Sequence, residues 1–271
     1  MHREAFAPAT PPKAPAPRAP DRRGLRREER RRALKGISWL AFAERKAAKA
    51  SADERAEERA LALEGEAELE RQRVQAALDA AWQALLANNP DAVLSVLEAA
   101  FEDNEAPAAA IDCDGQAVSV VMRMPARDAF VPDRQADATP TGRPTVKRIS
   151  KTLRNQMHAG AVMSHALVTA KEAFAVAPGI DAVMLLAVMD DEVSVQPIYA
   201  GAFTRDGFDS VDWSEGASTI SARLGGWMKV KGQAAELACL PLGDEPELLQ
   251  VVERIAEVVG LPVAKDAYKT A

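Results

Sequence analysis

The chain has 271 residues, 48 % of them hydrophobic and 27 % charged, enough for one ordinary core with appendages or for two small domains. Its two cysteines, Cys113 and Cys239, lie far apart and form no CxxC pair, which argues against a disulfide framework and leaves no CxxC-type zinc site. The longest apolar run, 182–189, falls far short of the ~20 residues of a membrane span, and the Pro/Ala/Arg-rich start has no apolar stretch ahead of a small-residue cleavage site. Neither a span nor a secretory leader is therefore expected, and the cytoplasm is the default compartment.

The net charge of −6 is unevenly spread. Residues 1–50 hold 14 Lys and Arg against 5 acidic residues, or +9; the other 20 basic and 35 acidic residues give −15. A basic first part followed by an acidic second part is the clearest physical signal in the sequence.

Pro8, Pro11, Pro12, Pro15, Pro17 and Pro20 forbid a helix and predict a disordered Pro/Ala-rich arm over 1–21. From 22 to 88 Ala, Glu, Arg and Leu dominate, with no proline. That composition predicts one long helix, or two joined near Gly65, basic at first and then mixed in charge. Opposite charges three to four residues apart, as in Lys49–Asp53, Arg55–Glu58 and Glu70–Arg73, support it. Its first two-thirds are polar nearly all round, as in a helix that stands in solvent or pairs as a coiled coil. Val74, Leu78, Trp82 and Leu85 then fall at helical spacing and are expected to dock on the domain that follows.

Asn88-Asn89-Pro90 stops that helix and opens another, with Asn89 as N-cap and Pro90 in the first helical position. Val93, Leu94, Leu97, Ala100 and Phe101 form its apolar face. The period then changes to alternation: 109–112, a turn at Cys113-Asp114-Gly115, and 117–124 predict a β-hairpin. Residues 125–146, with four prolines, are expected to be a long loop, either functional or disordered. A helix over about 146–176 is closed by Pro178-Gly179. The apolar stretch 181–189 reads as a strand buried on both faces; Asp190-Asp191-Glu192 turn it into a return strand over 193–204, where Pro197 requires an edge or a bulge. Ser214 is expected to cap a short helix to about 224, 227–231 to be extended, and 244–259 to be an amphipathic helix ended by Gly260, with 263–271 as a tail. The fold class expected is α+β: a long N-terminal helix, then one domain over 89–262 whose two β-hairpins form a mainly antiparallel sheet packed by helices.

The stretch WQALLANNPDAVLSVLEAAFEDNEAPAA, and later KEAFAVAPGIDAVMLLAV followed by QPIYAGAFTR, resembles a family of uncharacterised bacterial proteins, chiefly actinobacterial, over about residues 75–250. The resemblance implies a bacterial cytosolic domain and brings no assigned activity, cofactor or catalytic residue with it.

The chemistry-bearing residues give no catalytic motif. A PD-(D/E)xK-type nuclease needs carboxylates at strand ends and a (D/E)xK on the next strand. Asp190, Asp191 and Glu192 cluster between two strands, but Val193-Ser194-Val195-Gln196 supplies no lysine. His158, His165 and Glu172 recur every seven residues, about 10.5 Å apart along a helix and too far to share one ion. No nucleophile elbow, Walker loop or dinucleotide fingerprint is present, so no catalytic residue, metal or cofactor is expected.

The arginine-rich start of the long helix is the best functional candidate. Arg22, Arg23, Arg26, Arg27, Arg30, Arg31, Arg32 and Lys35 wrap most of the helical cylinder, which suits phosphates. No aromatic residue is interleaved to stack on bases, so backbone contact without sequence preference is the expectation. A second basic group, Arg143, Lys147, Arg148, Lys151 and Arg154, opens the later long helix. Leu34, Ile37, Trp39, Leu40 and Phe42 beside the arginines admit a membrane-surface reading, with a short apolar face. The preferred reading is a non-enzymatic intracellular binding or assembly protein, its helix self-associating or docking on an unknown protein partner. The alternative is a nucleic-acid-associated protein without sequence preference, or a degenerate nuclease, tethered by the arginine arm.

Overall fold

The computed structural model describes Arg3, residues 5–190 and residues 193–270, with the backbone alone at Asp190. Two compact units divide the chain, one Thr10–Gln83 and the other Met1–Ala9 with Ala84–Ala271.

The first unit is built from α1 (Arg22–Ala33) and most of α2 (Phe42–Leu86). Residues 22–88 are thus not one helix, and the break is not at Gly65, which lies inside α2. The chain turns at 34–41 because Gly36 takes φ +89°, a left-handed conformation that a side chain resists, while the Leu34 N–H donates to the Arg30 carbonyl and closes α1. Asp21 starts α1, its Oδ1 accepting from Gly24 N at 2.9 Å. Residues 10–20 form no helix or strand; Gln75 of α2 holds them by accepting from Ala14 N and donating to the Pro12 carbonyl.

The second unit is α+β. It begins on the last residues of α2, and α3 (Pro90–Phe101) follows with Asn89 as its cap, Oδ1 accepting from Ala92 N. The main sheet has six strands in the order β1 (Ala108–Asp114), β2 (Ala117–Met124), β5 (Ala182–Asp190), β6 (Val195–Thr204), β7 (Trp227–Lys231) and β8 (Glu236–Ala238). Between β2 and β5 lie α4 (Arg127–Phe130), β3 (Arg134–Ala138), β4 (Pro144–Arg148) and α5 (Lys151–Val176). After β6 come α6 (Arg205–Asp209) and α7 (Ala217–Arg223), and after β8 comes α8 (Pro246–Val259).

Both expected hairpins, β1–β2 and β5–β6, are antiparallel, and β2 joins β5 in parallel from Ala117↔Ala182 to Met124↔Met189. A parallel neighbour requires a crossover, which the segment carrying α5 provides. Pro197 has no N–H for the ladder, and the register slips beside it: Ala187 pairs with Tyr199 but Val188 with Pro197, so Ile198 is the extra residue of a bulge. Strand alternation splits the core. Val121, Leu186, Val188 and Ala200 pack with Leu248, Val252 and Ala256 of α8, while the alternate positions Val120, Met122 and Leu185 are buried on the face that α5 covers. A central strand buried on both faces explains the unbroken apolar run of β5.

Four expectations are corrected. The loop over 125–146 holds α4 and a separate two-stranded sheet, β3–β4, whose ten strand residues are all exposed. The later long helix starts at Lys151, not 146, because Ser150 caps it by accepting from Leu153 N. Gly216, not Ser214, precedes the short helix α7. Residues past 262 are no loose tail: Val263 bridges Val195, Lys265–Tyr268 form a 3-10 turn, and buried Ala267 accepts from Leu242 N.

Candidate docking site on the helical hairpin

Ala52, Ala56 and Ala60 form one row on α2 at a spacing of four, and all three are buried. Ion pairs tie α1 to this helix. The ion pairs show that the two helices run antiparallel: Arg22 reaches Glu57 and Glu64, Arg26 reaches Glu57, and Arg30 reaches Asp53. Arg30 is bidentate, with Nε and Nη2 donating to the two Asp53 oxygens at 2.7 and 2.6 Å, the fork geometry that a lysine lacks. That hydrogen bond is the main reason the Asp53 carboxyl sits below its ordinary pKa. Glu29, only 8 % exposed, is ringed by Arg32, Arg55 and Arg59 at 3.2, 3.7 and 3.3 Å.

The eight cations of the arginine run are thereby sorted. Arg22, Arg26, Arg30 and Arg32 are engaged by carboxylates of α1 and α2. Arg23, Arg27 and Arg31, again at a spacing of four, form an exposed row on another face, and Lys35 follows the helix end. Among the described residues no carboxylate lies within ion-pair distance of these four. Three of the eight, Arg22, Arg26 and Arg30, hold α1 to α2, and Arg32 pairs within α1, a division that sequence alone does not reveal because it depends on where α2 lies.

The turn between the helices carries the most unusual surface of the unit. Trp39, Leu40 and Phe42 are 72, 61 and 73 % exposed. The turn is an ordered one: Arg45 Nη1 donates to the Ile37 carbonyl at 3.2 Å, and Leu40 N donates to Ser38 Oγ at 3.4 Å. Lys46 and Lys49 are exposed on the first turns of α2, with Glu44 among them. The sequence admits these residues, with Leu34 and Ile37, as a short apolar face beside the arginines but does not show which of them stay exposed. The signal available was the pair Gly36 and Ser38 ahead of three large apolar residues in otherwise polar surroundings.

The remaining candidates go elsewhere. His158 and His165 are buried on α5; His158 Nε2 is hydrogen-bonded to the Pro125 carbonyl, and the Phe130 ring lies 6.3 and 6.2 Å from the two imidazoles. Burial lowers the pKa of both. Glu172, also buried, accepts from Asn104 Nδ2 at 2.9 Å at the edge of a cleft of about 430 Å³. Among the described residues no three His, Cys, Asp or Glu side chains converge on a metal position. Asp191, Glu192 and the Asp190 side chain, on which the nuclease alternative turned, lie outside the described residues. Cys113 is in β1 opposite Val118, not in the turn, which is Gly115-Gln116. Burial raises its thiol and pushes Cys239 up to about 11, so neither is a thiolate at neutral pH. Of the second basic group, Lys151 pairs with Glu236 at 2.9 Å and Arg154 with Asp128 at 3.0 Å, while Arg143, Lys147 and Arg148 are exposed on the β3–β4 ribbon. Among the described residues no helix is long and apolar enough to cross a membrane. No family model, curated protein or solved structure matches the chain.

Proposed function

We propose that this chain is a non-enzymatic cytoplasmic binding protein whose docking element is the α1–α2 hairpin and whose other unit is an acidic α+β body. The observation that carries the reading is the exposed apolar turn at Trp39, Leu40 and Phe42. Scattered apolar residues on a surface need no explanation, but a contiguous cluster with a polar rim marks an interaction site. The ion pairs behind it hold the turn in one geometry, which lowers the ordering cost of binding.

The test compares the full chain with its Trp39→Ser/Leu40→Ser/Phe42→Ser variant on a phenyl matrix, with far-UV circular dichroism as the folding control. The wild type is expected to be retained and the variant to elute early at unchanged helicity. Equal retention would show that the turn is not available, and would end this reading.

A second reading, nucleic-acid association without sequence preference, is favoured by the unpaired row Arg23, Arg27 and Arg31. Three phosphate contacts give a slope of log K against log salt of about −3 at most. A mobility-shift titration with Arg23→Gln/Arg27→Gln/Arg31→Gln decides it: the slope should fall to near zero if this row is the contact.

A further inference from the structure

The chemistry around the turn singles out one kind of partner. Trp39 and Leu40 are neighbours in the turn and Phe42 opens α2, each more than half exposed, so their side chains are free to be inserted into a partner. Their combined exposed area is roughly 400–500 Å², against about 800 Å² that each partner buries in a standard protein interface. Alone they are too small for a stable protein contact. Around them, residues 31–49 carry Arg31, Arg32, Lys35, Arg45, Lys46 and Lys49 against the single carboxylate of Glu44. Arg32 is engaged by Glu28 and Glu29, and Arg45 is tied to the Ile37 carbonyl. Among the described residues Arg31, Lys35, Lys46 and Lys49 have no carboxylate within ion-pair distance.

Apolar insertion and neighbouring cations are the two signals that together hold a protein on a bilayer surface, where either alone gives marginal binding. Indole rings settle at the level of the lipid headgroups, and neighbouring cations are drawn to an anionic leaflet. A single-stranded nucleic acid would use Trp39 and Phe42 for stacking but has no use for Leu40.

We infer that the turn between α1 and α2 is a membrane-surface anchor, in which Trp39, Leu40 and Phe42 enter the headgroup region of a bilayer whose anionic lipids are held by Arg31, Lys35, Lys46 and Lys49. This rests on the hairpin being the docking element and names its partner: an anionic phospholipid surface, bound peripherally.

The test is co-sedimentation of the full chain with vesicles of phosphatidylcholine alone and of phosphatidylcholine with a one-third share of phosphatidylglycerol. Binding is expected to the anionic vesicles only and to weaken with added salt. Trp39→Ser/Leu40→Ser should lower it at least about tenfold. Lys46→Gln/Lys49→Gln should lower it about fivefold for each cation removed. Both variants change exposed side chains, and unchanged circular dichroism checks that they fold. Absent binding, equal binding to both vesicle types, or full binding by the Trp39/Leu40 variant each overturns the anchor. If vesicles are ignored while the phenyl matrix still retains the wild type, the turn docks on something other than lipid and only this inference falls. If an oligonucleotide shift disappears with the same variant and vesicles do not bind, the partner is nucleic acid. If retention fails as well, both readings fall.

Discussion

At the scale of single residues, Arg205 is the best test of what holds the α+β unit together. The C-terminal end of α5 leaves carbonyls without helical partners, and Arg205 reaches that of Phe174 and that of the cap residue Ala177, together with the carbonyl of Ile180 in the turn that follows. Nε and Nη2 donate to Ile180, Nη1 to Phe174 and Nη2 to Ala177, at 2.7 to 3.0 Å. The guanidinium also sits where the helix dipole favours a cation. Arg205→Ala should therefore cost about 3 kcal/mol in urea unfolding, and Arg205→Lys should recover less than half, because an ammonium cannot fork across separate carbonyls. Gly226 tests packing instead. A Cβ there would collide with Tyr199 Oη and Ser221 Oγ, which share a buried hydrogen bond at 2.9 Å. Gly226→Ala is expected to destabilise by about 1–3 kcal/mol, and Tyr199→Phe in the same chain to relieve part of it, as a double-mutant cycle would show. Burial pushes the Tyr199 phenol up to about 12. The unfolded chain releases that proton near pH 10, so between about pH 10 and 12 the folded state holds more protons and stability falls as pH rises. Alkaline denaturation followed at the phenolate band should show this loss, and Tyr199→Phe should remove it.

At the scale of elements, the alanine row of α2 is the buried seam of the Thr10–Gln83 unit. Ala56→Leu inserts three carbons into that seam and should cost about 1–3 kcal/mol, read as lost amide protection confined to α1. The β3–β4 ribbon predicts the opposite. Its strand residues are all exposed, and Ile149 N donates to the Asp133 carbonyl where the ribbon leaves the domain. Replacing 134–148 by a short Gly/Ser linker should leave the thermal midpoint within a degree or two, since surface changes rarely exceed ~0.5 kcal/mol. The same two elements mark the limits of what the sequence discloses. The cap at Asn89, the stop at Gly260 and the strand pair around the buried apolar run were legible because each is a local preference that the core reinforces. The ribbon was not, because Arg134, Gln135, Asp137 and Lys147 give it no apolar face and hence no period of two. The turn at 34–41 was hidden by strong helix formers on either side of one glycine. The arginine run was visible as charge, but which members face α2 is a tertiary fact. So is the exposure of Trp39, Leu40 and Phe42, which the sequence sets beside the arginines without showing whether anything covers them.

At the scale of the whole chain, the two units differ in what they bury. The α+β unit encloses Tyr199, Phe203, Leu97, Met122 and Leu185, whereas the Thr10–Gln83 unit buries three alanines and the Glu29 cluster. Apolar area supplies most of the free energy that resists opening, and exposed ion pairs supply little. The α1 amides should thus exchange through local openings of a few kcal/mol, and those of β5 only through global unfolding. In native-state hydrogen exchange that difference should appear as at least ~100-fold less protection in α1 than in β5. Acid should widen it. The Asp53 carboxyl, which takes both hydrogen bonds of Arg30 in α1, is held below its usual pKa. A depressed folded-state pKa contributes stability above the unfolded value and loses it as pH falls toward the folded one. Protection in α1, corrected for intrinsic exchange, should therefore drop below about pH 4 while that of β5 holds, and molar salt at neutral pH should act on α1 in the same direction. Equal protection of α1 and β5, falling together with acid, would mean that the chain opens as one cooperative body and that its hairpin is no separable docking arm.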